Sequence, residues 1–223
     1  MKKNNSAGRW CALAAAVAFM LACAGPRHIR SEPVNPALCR LPFTSTSCRY
    51  IHSLDAELPG GGRMTVMGVS VIDPAADTVQ AALMTLESLT LFDATAAGDR
   101  VEVHRSVPPF DGQEFAGALM RDVRFIFMFP AGPLTASGTL DDGSSVCRYR
   151  ESEGKTVDVI VHPGQGWEVE EFSALLKKLR SLKISALKNG YPAELDFEAL
   201  SPKPYALHMR LISAEPVAPG DKK

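Results

Sequence analysis

The sequence predicts a mainly β protein of the α+β class, built on an antiparallel sheet or barrel with helix packed against it. Short segments in which apolar and polar residues alternate follow one another from residue 48 to residue 105, a pattern typical of half-buried strands. Turn residues separate these segments, as at Pro59-Gly60-Gly61-Gly62. After Pro108-Pro109 the apolar residues change to the three- and four-residue spacing of a helix.

The first half of the domain is predicted to be a meander of five strands followed by one helix. The strands are expected at residues 48–58, 63–72, 77–87, 88–95 and 100–105. The strand at 63–72 is apolar on both faces, which predicts that both are covered. The helix is expected at residues 113–129, where Pro130 ends it. The run from Phe125 to Phe129 has little polar surface, so we expect that end to be buried.

The second half returns to strands, with one further helix. Strands are expected at residues 136–140, 144–151, 156–162, 180–188, 193–199 and 204–213, with Asn189-Gly190 as a hairpin turn. From Trp167 to Leu179, early glutamates, late lysines and a leucine-rich stripe predict a helix. One long strand over residues 172–187 is the alternative for part of this segment.

The N-terminus is predicted to be a signal peptide over residues 1–22. Lys2, Lys3 and Arg9 form a positive region without acidic residues, and an apolar run of eleven residues follows from Trp10 to Met20. That run is too short to span a bilayer, which takes about 20 apolar residues, and it fits the hydrophobic region of a signal peptide.

The signal peptide ends in Met20-Leu21-Ala22-Cys23, which resembles the lipobox of bacterial lipoproteins. The resemblance implies cleavage before Cys23 and attachment of lipid, palmitate among it, to that cysteine. The absence of Asp at the next position implies the outer membrane, with the chain facing the periplasm. Ordinary cleavage after Ala24 remains the alternative, since Ala22-Cys23-Ala24 also fits an A-x-A site. We expect a lipidated tether at 23–36, one domain at 37–215 and a disordered tail at 216–223.

The balance of charged residues limits the partners that the sequence predicts. The chain has 24 basic and 25 acidic residues and no basic patch, so nucleic acid is not an expected partner.

After Cys23, three cysteines remain in an exported chain, where disulfides persist. The short polar loop between Cys39 and Cys48 favours that pair, although Cys147 could replace either partner or stay a free thiol.

Residue patterns for catalysis, metal binding or cofactor binding are not found in the sequence. It has no G-x-S-x-G elbow, no H-E-x-x-H and no phosphate-binding glycine loop. No cysteine and histidine spacing suggests a metal site. We therefore expect a protein that is not an enzyme and needs no cofactor. A monomer is also expected.

The order of elements is similar to the LolA/LolB family of periplasmic lipoprotein carriers over about residues 46–213. Its best local segment, from Leu83 to Pro130, contains "LMTLESLTLFDATAAGDRVEVHRSVPPF" and then "FIFMFP". The resemblance implies a curved antiparallel sheet or incomplete β-barrel, with one to three helices covering a hydrophobic cavity. It also implies a lipid or lipoprotein cargo, and related uncharacterised lipoproteins share the pattern.

The helix at 113–129 follows the meander directly, so we expect it to lie across the mouth or inner face of the sheet and to line an acyl-binding cavity. The expected lining residues are apolar at strand or helix spacing: Met67, Val69, Val71, Leu83, Leu89, Leu91, Leu119, Val123 and Phe127. Flexible methionines would suit variable acyl chains, but such residues can also simply fill a core. The alternative function is a structural or assembly lipoprotein that binds envelope proteins and carries no ligand.

Overall fold

A computed structural model describes residues 25–32, 39–201 and 203–217 of the chain. The predicted signal peptide, Cys23, residues 33–36 of the predicted tether and most of the predicted tail, from residue 218 onward, lie outside these residues. Within the described ranges, no helix is both long and apolar enough to cross a membrane.

The described chain forms one antiparallel sheet of thirteen strands with one α-helix. The strands are β1 (Arg30–Ser31), β2 (Cys48–Glu57), β3 (Arg63–Asp73), β4 (Thr78–Met84), β5 (Thr90–Ala97), β6 (Arg100–Ser106), β7 (Leu134–Thr139), β8 (Ser145–Arg150), β9 (Thr156–His162), β10 (Gly166–Phe172), β11 (Lys178–Lys188), β12 (Tyr191–Ala199) and β13 (Tyr205–Pro216). The helix, α1 (Gln113–Phe127), connects β6 to β7. The predicted mainly β fold, an open curved sheet under a covering helix, is confirmed.

The strand order explains how a simple meander becomes a large open sheet. It runs β1-β7-β8-β9-β10-β11-β12-β13-β2-β3-β4-β5-β6. Two meanders, β2 to β6 and β7 to β13, are therefore joined by pairing of the last strand with the first long one, as in Met209 opposite Leu54. The short β1 and β6 are left as the two edges. Short or charged edge strands such as these limit pairing with other chains.

The sheet has an inner face, on which α1 packs, and an outer face opposite. Side chains alternate between them along each strand. On β2 and β3, the register partners Leu54 and Val66 face inward, whereas the next pair, Ser53 and Met67, faces outward. The inner face holds most of the core, and burying each of its large apolar side chains contributes about 1.5–3 kcal/mol.

Helix α1 presents one apolar stripe to that inner face. Four of its buried residues, Ala116, Met120, Val123 and Phe127, follow the spacing of one helix face. The helix ends two residues earlier than predicted, because Met128 is already extended ahead of Pro130.

The predicted helix from Trp167 to Leu179 is wrong. These residues form β10, a turn at residues 173–177 and the start of β11. The early glutamates are buried strand residues, not an acidic helix turn; Glu170 is only 1% exposed and forms an ion pair with Lys178. The apolar residues happened to match a helical period, but pairing with β9 on one side of β10 and β11 on the other decided the structure.

The predicted Cys39–Cys48 disulfide is also wrong. Cys39 is bonded to Cys147 in β8, with the two Cα atoms 5.9 Å apart, and Cys48 is a buried free thiol. Closeness in sequence favoured the short loop, but Cys48 begins β2 while Cys39 lies beside β8 in the folded chain. The bond closes a loop of 108 residues and ties the N-terminal segment to the second meander.

Residues 25–32 pack on the outer face and are not a free spacer. Ile29 completes a small apolar cluster with Leu140, Val146 and Ile160, and β1 pairs with β7. Arg27 forms an ion pair with Glu168 at 2.8 Å, and its carbonyl accepts a hydrogen bond from Arg148. This segment is called the strap below.

Candidate lipid-binding face

Five of the nine predicted lining residues belong to the core between α1 and the sheet or pack against it. Val123 and Phe127 are buried, and Leu83, Leu91 and Leu119 pack against the same cluster. The structure therefore brings the three helical residues and the two strand residues to one apolar cluster. Whether they bind a ligand remains a prediction.

The other four predicted residues lie elsewhere. Met67, Val69 and Val71 point to the outer face, because their inward-facing neighbours on β3 are Val66, Gly68, Ser70 and Ile72. Leu89 lies in the β4–β5 turn and is 54% exposed. Since β3 is apolar on both faces, alternation alone could not say which set faces the helix, and the prediction chose the wrong one.

An aromatic cluster fills the space beneath the C-terminal half of α1. The Phe127 ring lies 5.5 Å from the Phe43 ring, 5.2 Å from the Tyr50 ring and 5.5 Å from the His52 ring, centroid to centroid. Such pairs add about 0.5–1.5 kcal/mol beyond area burial. Apart from Phe127, none of these residues was predicted to line the site.

His52 is an unusual member of this cluster. It is 1% exposed, and its Nε2 atom has no hydrogen-bond partner among the described residues. Burial lowers the pKa of His52 to about 4, so the imidazole is neutral at physiological pH. An unpaired polar atom in an apolar interior is destabilising unless a water or a ligand satisfies it.

We expect acid to weaken the fold through His52. A histidine whose pKa falls from 6.5 to about 4 on folding binds a proton more weakly in the folded state than in the unfolded state. Protonation of the unfolded state therefore lowers the free energy of unfolding below about pH 6.5, and above that pH the free energy of unfolding is unaffected by His52. Stability should then fall by about 3 kcal/mol between pH 6.5 and pH 4. Urea unfolding over this range measures the slope. His52→Phe should flatten it, and a slope in this variant equal to that of the unmutated protein would contradict the assignment.

A buried polar cluster holds the side of α1 that faces β11 and β13. Asp122, on the helix, accepts a hydrogen bond from the Tyr205 hydroxyl and forms an ion pair with Arg180 at 2.6 Å. Arg180 also contacts Glu171 at 2.6 Å. This group of Asp122, Arg180, Glu171 and Tyr205 is called the helix latch.

Two groups of the helix latch, Asp122 and Tyr205, have perturbed pKa values. Burial raises the pKa of the Asp122 carboxyl, and Arg180 and Tyr205 offset this only in part. Burial and the neighbouring Asp122 raise the pKa of Tyr205, which stays protonated and donates to the carboxylate. A buried cation between two carboxylates is stable only while all three remain in place. No pattern in the sequence indicates this cluster, because its members lie on four separate elements, α1, β10, β11 and β13.

Two surface pockets lie outside the space between α1 and the sheet. The larger has a volume of about 690 Å³, and most of its lining side chains, such as Asp55, Asp196 and His208, belong to the outer face of β11, β12, β13, β2 and β3. Several of its charged side chains are paired, as in Arg63 with Glu57 at 2.5 Å. The second, of about 440 Å³, follows the β1–β7 edge. In this conformation the helix-covered face is packed with side chains.

Comparison with known proteins identifies the fold. No protein-family model matches the chain, and no curated protein matches its sequence. A LolA superfamily protein from Nitrosomonas europaea is similar in structure, with a TM-score of 0.55 and 10% identity, covering 84% of this chain and 93% of that one. A domain from Vibrio parahaemolyticus described as an outer membrane lipoprotein-sorting protein has a TM-score of 0.45 and 9% identity, covering 80% and 88%.

The chain therefore has a LolA-like fold, and the resemblance predicted from the sequence is confirmed for the fold. At 10% identity, the likeness defines the architecture and not the ligand.

Proposed function

We propose that this protein is a lipid-anchored carrier that takes up acyl chains between α1 and the inner face of the sheet. It would serve lipoprotein or lipid transfer at the periplasmic side of the outer membrane, with Cys23 as the lipid attachment site. The observation that carries the proposal is an apolar sheet face covered by one helix that a polar latch holds in place. The LolA-like fold supports it.

The contacts of α1 divide into two kinds that suit a movable cover. On one side, an apolar stripe packs on the sheet near β4 to β6. The ion pair of Arg124 with Asp77, in the turn before β4, lies on this same side. On the other side, the helix latch holds the helix to β10, β11 and β13. Polar partners can exchange one another for water as the helix moves away, so their net contribution to closure is modest compared with that of apolar burial.

Opening of α1 would uncover an apolar floor wide enough for an acyl chain. Leu195, Phe197 and Met209 lie side by side on β12 and β13, and Leu54 and Val66 continue the surface on β2 and β3. A bound chain would replace the contacts that the helix stripe makes in the closed state. Each methylene that it buries contributes about 0.8 kcal/mol.

The filled interior is the observation that favours the alternative, a structural or assembly lipoprotein without a ligand. Tyr50, Phe92 and Phe197 are fully buried, as in an ordinary core. The two functions differ in whether the unmutated domain binds a free acyl chain.

Titration with a fluorescent fatty acid tests the carrier function. We expect saturable binding to the unmutated protein and about tenfold weaker binding to Leu207→Trp, since displacing about two methylenes of ligand costs roughly one factor of ten. Leu207 packs on the inner face, opposite Ala56. The control is Val69→Trp, which adds the same bulk to the outer face and should bind normally. Absence of binding in the unmutated, folded protein would reject the carrier and favour the structural alternative.

A further inference from the structure

Exposed leucines are concentrated at one end of the sheet, and the β10–β11 turn carries the most prominent pair. Leu175 is 90% exposed and Leu176 is 56% exposed. The turn is nevertheless well defined, because the Leu176 amide donates to the Ser173 carbonyl at 2.8 Å and the Ser173 amide donates to the Lys177 carbonyl at 2.9 Å. Leu176 also adopts a φ of 61°, a conformation that bulky residues rarely accept.

The antiparallel order of the strands places other apolar side chains at this same end. Alternate turns of a meander lie at opposite ends, so the β4–β5 turn and the segment after β12 lie at the end of the β10–β11 turn. They carry Leu86, Leu89 and Leu200, which are 63%, 54% and 41% exposed. Phe129 and Leu134, exposed ahead of and at the start of β7, also lie there, since Leu134 pairs with Tyr149 at the end of β8.

This concentration is not what scattered surface leucines would give. Of the ten large apolar side chains that are exposed among the described residues, these seven lie at one end. Single exposed apolar residues are normal, whereas a group on one surface marks a contact with a protein or a membrane. The seven residues are called the apolar rim.

The strap begins at the apolar rim. A Cβ built on Gly25 would lie 3.9 Å from the Leu176 carbonyl oxygen, so the first described residue of the chain contacts the β10–β11 turn. Cys23 precedes Gly25 by two residues, a span of at most about 7 Å. Arg27 and Ile29 then fix the strap on the outer face. An acyl group on Cys23 would therefore enter the bilayer close to Leu175.

We propose that the apolar rim, centred on Leu175 and Leu176, rests in the headgroup and acyl boundary of the membrane to which Cys23 anchors the chain. This inference rests on the lipid anchor of the proposed function and adds a fixed orientation. Apolar residues at such a boundary are buried while the rest of the domain stays in water. Lys177, exposed in the same turn, suits an anionic lipid surface.

The orientation has a consequence for the interior. Arg180 and Glu171 are register partners next to the β10–β11 turn, and Tyr205 begins β13 at the same end. The helix latch therefore lies behind the apolar rim, on the side of the domain nearest the bilayer. An acyl chain that leaves the membrane would meet the releasable side of α1 first.

Tryptophan quenching by lipid tests the rim. Leu175→Trp would be compared with Leu187→Trp, a 45% exposed position near the opposite end of the sheet, and with the unmutated protein, which reports the background of Trp167. Each full-length protein is produced with its own leader, purified from membranes and reconstituted in phosphatidylethanolamine–phosphatidylglycerol vesicles with doxyl-labelled lipid. We expect a blue shift and strong quenching for Leu175→Trp and neither for Leu187→Trp. Equal quenching at both positions, or none at position 175, would overturn the proposal.

A second arrangement separates the rim from the anchor. Mass spectrometry of the purified protein tests for acyl groups on Cys23. If it finds none, the same variants are held on nickel-chelating vesicles through an N-terminal histidine tag, and quenching at position 175 should still exceed that at position 187. Loss of this difference, with dimers seen by analytical ultracentrifugation, would instead assign the rim to contact between copies. Neither readout depends on fatty-acid binding, so failure of the carrier function would be recognised separately.

Discussion

Cys147→Ala should lower the free energy of unfolding by about 4–5 kcal/mol, the largest effect expected of a single substitution here. The disulfide with Cys39 spans 108 residues, and in the chain-entropy model a loop of about 100 residues contributes close to 5 kcal/mol by restricting the unfolded chain. Urea or guanidinium unfolding under non-reducing conditions measures the difference. The double variant Cys39→Ala/Cys147→Ala should be little worse than the single one, because both remove the same bond.

Cys48→Ala is the matched control for this prediction. Cys48 is as buried as the bonded cysteines but is a free thiol, so its loss should cost about 1 kcal/mol, as is usual for a small core substitution. Comparable losses for Cys48→Ala and Cys147→Ala would contradict the assigned pairing. Peptide mapping without reduction gives an independent answer, since it should recover the Cys39 and Cys147 peptides together.

Arg180→Met should lower stability at neutral pH by about 3–5 kcal/mol. Arg180 contacts Asp122 and Glu171, which are 4% and 6% exposed, and its removal leaves two buried carboxylates without their cation. Methionine keeps much of the side-chain volume, so the loss reports charge more than packing. The control is Arg210→Met, which breaks an exposed pair with Asp55 and should cost less than about 1 kcal/mol.

The pH dependence of Arg180→Met distinguishes charge from packing. Burial already raises the pKa of Asp122, and removal of the nearby cation raises it further. A carboxyl with a raised pKa in the folded state is stabilised by its proton, so the deficit should be largest at neutral pH and should shrink as the pH falls. Chemical unfolding at several pH values measures this trend. A deficit that is independent of pH would mean that Arg180 contributes through packing alone.

The sequence predicted the fold where local and tertiary preferences agree. Alternation and turn residues located most strands within a few residues, and the apolar stripe of α1 with Pro130 located the helix. It failed from Trp167 to Leu179, where an accidental helical period competed with strand pairing. No local signal showed that Glu170 would be a buried strand residue, because its stabilising partners, Lys178 and Arg27, are supplied by β11 and the strap.

The candidate site was predicted only in part, because local spacing shows which residues share a face but not which distant residues that face will meet. Val123 and Phe127 follow from helical spacing alone, since an amphipathic helix must bury its apolar face. The choice between Met67 and Val66 on β3 was open, because both faces of that strand are apolar and a shift of one residue exchanges them. His52 and the helix latch were missed, because a buried histidine or carboxylate is distinguished only by the neighbours that surround it.

The sequence by itself determined the mainly β fold and the position of helix α1, and its positive, apolar N-terminus and its charge balance predict export and no nucleic-acid partner. These properties depend on the period of apolar residues, on turn chemistry and on counts of charged groups, all of which are local or additive. The tertiary structure decided the Cys39–Cys147 bond, the inward face of β3, the helix latch and the apolar rim. Each of these depends on which distant segments meet, and thirteen strands bring together residues that are far apart along the chain.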